Sequence, residues 1–250
     1  MLTEKYHQLV SKPHPFIKLW INSIVTGGLI FAFLTWYQIL SSNETNPWYL
    51  ANQAAAQTGI LLMTVSFAMS GIVYFWDFAD HYLLYRKYWG LVGFGFALVH
   101  GLYSFTNYML AQYQICIDFI PLNAGCINTG AFDLFLNWKI FGFTINNFIA
   151  FTFGLTALLI FTFMAAISNS WATRKLGKYW RWCLRLGYLA LIFGALHAGI
   201  KRAAVWQYWL THFEPFLPPL SLLTSILIIF TLLLRIILQI SLIRKSPSAA

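Results

Sequence analysis

Six long apolar runs separated by short polar breaks organise the chain, at about 17–39, 58–78, 89–110, 144–168, 182–203 and 217–243. A hydrocarbon core about 30 Å thick needs roughly 20 such residues in helix. The pattern therefore predicts an all-α fold, a polytopic membrane bundle of six transmembrane helices. The first run exceeds the ~7–15 apolar residues of a signal peptide and no small-residue cleavage site follows it, so it reads as a retained helix. No polar stretch is long enough for a separate soluble body, and 1–250 is expected to form a single transmembrane domain.

Composition strengthens this reading. Residues are 59% hydrophobic and 9% charged, with mean hydropathy +0.66, against roughly 25% charged in soluble domains. The net charge of +9 does not point to nucleic acid, because the basic residues sit in short clusters between apolar runs. Lys5, Lys12 and Lys18, then Arg86 and Lys87, then Arg174, Lys175, Lys178 and Arg181, then Arg244 and Lys245 share one face if six helices alternate. The other face has Lys139, Lys201 and Arg202. Basic loops favour the cytoplasm, which places both termini there. Trp48, Tyr49, Tyr88, Trp89, Tyr179, Trp180, Trp182, Trp206 and Trp209 fall at predicted helix ends, where amphipathic rings meet the headgroups. The echo of Lys-Tyr-Trp at 87–89 and 178–180 fits the same belts, an internal repeat being the alternative.

Candidate chemistry is sparse. His7, His14, His81 and His212 lie in tails or loops, and only His100 and His197 fall well inside apolar runs. Ionisable groups at that depth face a bundle interior or a cofactor. His100 is 12 residues beyond Tyr88 and His197 is 15 beyond Trp182, depths of ~18 and ~22 Å at 1.5 Å per residue. Both runs head outward, so the imidazoles reach similar levels in the outer half of the membrane. Two neutral imidazoles at one level suit axial ligation of a haem iron. The alternative is that each makes an interhelical hydrogen bond and nothing more. Gly93 and Gly194, with Gly101 and Gly199 beside the pair, give room for a flat macrocycle, though small residues equally serve close helix packing.

Other candidates carry less. Asp77, Asp80 and His81 could gather at a helix end as a metal site or simply be solvated. Cys116 and Cys126 share an outer loop and are either a disulfide or two thiols. Cys183 reads as a small buried side chain, and Arg235 as a snorkelling or paired one. Asn43-Glu44-Thr45 matches a glycosylation sequon.

The stretch Arg86-Lys87-Tyr88-Trp89-Gly90-Leu91, followed by Phe94, Phe96 and His100, resembles the ferric reductase-like transmembrane family. Within it, the haem-binding membrane subunits of bacterial methionine sulfoxide reductase systems (MsrQ/YedZ-like) are most similar. A second match runs from Ala166-Ile167-Ser168-Asn169-Ser170 through Arg174-Lys175-Leu176-Gly177 and Trp180, then Leu184-Arg185-Leu186-Gly187-Tyr188, to Leu196-His197. The likeness covers a core of about 58–203, leaving 17–39 as an extra N-terminal helix and 217–243 as a C-terminal one.

The resemblance implies a b-type haem between His100 and His197, with one-electron transfer as its task. The family usually has a further histidine 13 residues before the one matching His197; here Leu184 stands there. Arg86, 14 residues before His100, is no ligand either. One outer haem is therefore expected, without an inner one. FAD or NAD(P) is not expected on this chain, so a cytosolic flavin reductase or a membrane quinol would donate. An extracytoplasmic reductase or a ferric chelate would accept, and the expected location is the bacterial inner membrane. The main rival is a haem-free scaffold or assembly protein with the same fold. A transporter ranks last, since broken helices and intramembrane charge pairs are not apparent.

Overall fold

A computed structural model describes residues 16–41, 45–119, 138–140, 143–145, 147–213 and 215–245. Cys126, the Asn43 and Glu44 of the sequon, and the tail with His7 and His14 lie outside them. The side chains of Cys116, Lys139 and Asp77 are likewise not described. The fold is helical: α1 Phe16–Ser41, α2 Pro47–Phe75, α3 Arg86–Phe119, α4 Asn147–Ala166, α5 Ser170–Leu176, α6 Trp180–His212 and α7 Leu220–Lys245. A 3-10 segment, Asp77–Tyr85, joins α2 to α3, and another, Gly177–Tyr179, joins α5 to α6. The only strands among the described residues are β1 Trp138–Ile140 and β2 Phe143–Ile145, an antiparallel pair with Lys139 opposite Thr144.

Among the described residues, five segments are long and apolar enough to cross a membrane: Phe16–Ser41, Pro47–Phe75, Ile149–Ala166, Trp182–His212 and Leu220–Arg244. The predicted third run, 89–110, lies within α3, which is not one of the five. Outward-facing apolar side chains cover these helices; Leu29 of α1 is 68% exposed and Leu159 of α4 is 60% exposed. A soluble surface rarely carries contiguous apolar patches beyond a few hundred Å². The chain is an integral membrane protein.

Helix α2 is the hub. Its central stretch is 61% buried, against 17–22% for the other four segments, and it packs on α1, α3, α6 and α7. It starts 11 residues before the predicted 58. Asn46 caps it, its side-chain oxygen accepting from the backbone N–H of Trp48 and of Tyr49, with Pro47 in the first turn; both features favour a helix start. The polar residues of the early turns are satisfied across helix interfaces: Gln57 accepts from the Thr224 hydroxyl of α7 at 2.7 Å.

Helices α2 and α3 cross closely. A methyl on Gly59 would lie 2.8 Å from both the Gly93 carbonyl oxygen and the Ala97 backbone nitrogen. The main core joins Met63 and Phe67 of α2, Phe161 and Met164 of α4, Ala190 and Leu191 of α6 and Ile228 of α7. Leu184 packs against it, and a methyl on Gly187 would overlap the Phe67 ring. The level where the family places an inner histidine is thus filled by apolar side chains.

Contacts between helix ends define two faces. Asn22 near the start of α1 bonds Tyr85 at 3.1 Å, and Trp20 meets Tyr88 edge-on at 5.3 Å. These bring the start of α1 to the α2–α3 junction. At the opposite end, the Tyr37 hydroxyl donates to the Pro218 carbonyl and Arg202 donates to the Tyr49 hydroxyl. The predicted runs were too short at α6 as well, which continues nine residues past 203 to His212.

Candidate functional site

His100 sits on α3 and His197 on α6, both half-buried. Helix α3 rests mainly on α2 and α6 mainly on α4, so each histidine belongs to a different helix pair. The two pairs meet where α3 packs on α4 and α2 on α6. Each histidine is anchored through Nδ1 to the helix its own helix mainly packs against, His100 to α2 and His197 to α4.

The His100 anchor is a polar cluster. Its Nδ1 lies 3.0 Å from Asn52 Oδ1 and 3.2 Å from the Asn52 carbonyl oxygen. Asn52 Nδ2 in turn donates to Ser104 Oγ at 3.0 Å, and Ser104 Oγ is 3.4 Å from the ring nitrogen. With Asn52 turned this way, both acceptors near Nδ1 require a proton on that nitrogen. The lone pair then resides on Nε2.

His197 reaches the same state by another route. Its Nδ1 donates to the Ala150 carbonyl of α4 at 2.8 Å. Gly154, one turn further along α4, lets the ring lie against the backbone; a methyl there would come within 2.7 Å of Nδ1 and 3.0 Å of Cε1. Ala150 itself is fully buried. A hydrogen bond to Nδ1–H fixes the tautomer of a metal-ligating histidine and raises its basicity. Both residues therefore offer Nε2 as a neutral donor, the donor set of a bis-imidazole haem.

The glycines divide. Gly194 on α6 faces Ile60 of α2, with a single neighbour 3.3 Å from where a methyl would stand. Gly93 serves helix packing instead of opening space beside His100: a methyl there would meet the Gly59 carbonyl and Leu62 at 2.9 Å and Met63 at 3.0 Å, all on α2. Gly101 likewise admits Leu158 of α4, and Gly199 has Trp206 at ordinary contact distance.

Away from the pair, the His81 ring lies against that of Tyr82, centroids 3.8 Å apart and planes tilted by 42°. Among the described residues no three His, Cys, Asp or Glu side chains gather as metal ligands. Cys183 is a free, half-buried thiol. Sequence reasoning missed Asn52, Ser104 and Gly154. Asn52 stood just before the predicted second span and Gly154 inside the fourth, whereas the Ala150 carbonyl leaves no mark in a sequence.

No family model matches the chain. Curated relatives do. The haem-binding subunit MsrQ of protein-methionine-sulfoxide reductase from Brucella anthropi is 31% identical over 116 residues, 46% of this chain and 41% of the relative. MsrQ from Agrobacterium fabrum is 28% identical over 123 residues, 49% and 46% of the two chains. The metalloreductase STEAP3 of Rattus norvegicus is 27% identical over 155 residues, covering 60% of this chain and 30% of the relative. Less than half the length of each relative is spanned. The chain is thus similar, over about half its own length, to MsrQ haem-binding subunits and to a metalloreductase, in agreement with the ferric reductase-like resemblance read from its two histidine-bearing stretches.

Proposed function

We propose that this chain is a membrane electron-transfer subunit that holds one b-type haem between His100 and His197. The observation that carries the reading is the matched state of the two imidazoles. Each donates from Nδ1 to a partner on the neighbouring helix, Asn52 or Ala150, and each leaves Nε2 for a metal. The haem-binding names of the MsrQ relatives support the cofactor, and the STEAP3 name supports reductase chemistry. Bound there, the haem supplies reversible one-electron transfer. The chain positions the ligands, fixes their tautomers and keeps water from the α2–α4–α6 side with its apolar core.

A single haem in the outer half agrees with Leu184, Phe67 and Gly187 filling the inner level. In this reading α3 is the sixth span, 1–250 is one membrane domain with a core of about 58–203, and both termini are cytoplasmic in a bacterial inner membrane. Electrons arrive from a cytosolic flavoprotein or a membrane quinol and leave to an extracytoplasmic reductase or a ferric chelate. The haem-free scaffold is the second reading, favoured by the absence of an inner histidine at Leu184.

A reduced-minus-oxidised optical spectrum of the purified chain separates the two. The haem reading expects a b-type α-band, lost in His100→Ala and in His197→Ala while helical content is retained. A spectrum unchanged in either variant removes that residue from the ligand set, and no haem signal in the wild type leaves the scaffold.

A further inference from the structure

A second polar feature lies on the opposite half of the bundle, remote from the histidines and independent of the haem reading. Between α6 and α7 runs an open groove of about 270 Å³, lined by Arg185, Tyr188, Arg235, Ile236 and Gln239. Arg235 is ten residues before Lys245 at the end of α7, a depth of ~15 Å at 1.5 Å per residue. Arg185 is five residues into α6, or ~8 Å on the same rise. Both helix ends belong to the face bearing Arg174, Lys175, Lys178 and Arg244.

Two guanidiniums at that depth need negative charge beside them. No Asp or Glu lies on α1, α2, α4, α6 or α7; Asp77 and Asp80, acids of that face, sit on the 3-10 segment between α2 and α3, outside the groove's lining. Both guanidiniums lie over aromatic faces, Arg235 over Tyr188 at 5.5 Å and Arg185 over Trp182 at 4.7 Å. Such contacts hold each guanidinium beside the groove, which both side chains line. Gln239 adds an amide from one turn beyond Arg235. Exposed Ile236 gives the groove an apolar flank.

We propose that this groove binds the phosphate of an anionic phospholipid, with Arg185 and Arg235 as its principal ligands. A planar guanidinium matches phosphate oxygens two at a time, and basic sites between spanning helices on the basic face select anionic headgroups. The acyl chains would follow Ile236 along the bilayer side of α7. Close packing of Leu234 on Gly71 of α2 fixes α7 from behind, so the site is built on a rigid wall.

The test uses the full chain in phosphatidylcholine vesicles with spin-labelled phosphatidylglycerol or spin-labelled phosphatidylcholine as probe. Wild type should retain the anionic label over the neutral one by about fivefold, the scale set by one basic residue near an anionic surface. Arg235→Gln and Arg185→Gln should each bring the two labels toward parity. Arg235→Lys should keep most of the preference, and Arg244→Gln, on the same face but outside the groove, should leave it unchanged. Equal retention in wild type, or a preference that survives both Gln substitutions, overturns the proposal. So does loss of the preference on adding inorganic phosphate, which would assign the groove to a soluble anion. If Arg235→Gln does not fold, Arg185→Gln and Arg235→Lys decide the matter.

Discussion

Asn52 and Ala150 hold the two imidazoles by different means, and the difference is open to measurement. Ala150 offers a backbone carbonyl that no substitution removes, whereas Asn52 offers a side chain as well as its carbonyl. An acceptor on Nδ1–H strengthens the imidazole as a donor and favours the oxidised metal. Asn52→Ala should therefore raise the midpoint potential in spectroelectrochemical titration. A neutral hydrogen bond of ~1 kcal/mol corresponds to about 40 mV for one electron, an upper figure because the Asn52 carbonyl remains. A fall in potential, or no change, would mean that the amide does not act on the ligand. Gly154→Ala should push the His197 ring from its seat and lower haem content per chain, while Gly95→Ala, with nothing within 4 Å of its new methyl, should not. At this scale the sequence exposed His100 and His197 as the two histidines within apolar runs. It could not expose their anchors, because one is a carbonyl and the other belongs to a helix turn that read as loop.

Helix type and order were visible in hydropathy; the number of spans, six expected against five segments long and apolar enough among the described residues, and the helix ends and neighbours were not. Helix α2 begins at Pro47 because Asn46 caps it and because Asn52 and Gln57 find partners on α3 and α7. A hydropathy window sees only their polarity. The glycines show the same limit: Gly93 reads as space beside a ligand, yet its use is the contact with Gly59. Gly59→Ala would set a methyl against immovable backbone, and overpacking of this kind costs about 1–3 kcal/mol. Denaturant titration in detergent should show lower stability, with Gly28→Ala, in open space, close to wild type. Leu184 carries a complementary prediction. Restoring the family's histidine there should not create a second haem, because Phe67 fills the space beside Gly187 and position 86 offers arginine. Haem-to-protein stoichiometry should stay at that of the wild type in Leu184→His, and a doubling would show that the inner level can open.

On the scale of the molecule, a buried hub helix carries two antiparallel pairs, α2 with α3 and α4 with α6, each contributing one histidine. The scarcity of charge announced a membrane protein before any helix was placed. In the sequence, the facing of His100 and His197 rests only on equal depth along separate runs, since depth says nothing about which way a side chain points. The claim that most depends on that juxtaposition is ligation of one iron by both imidazoles. Low-temperature electron paramagnetic resonance of the oxidised, purified chain tests it most directly. The account predicts a low-spin bis-imidazole ferric signal that turns high-spin or vanishes in His100→Ala and in His197→Ala. A high-spin or non-histidine signal in the wild type, or a wild-type signal persisting in either variant, would contradict it.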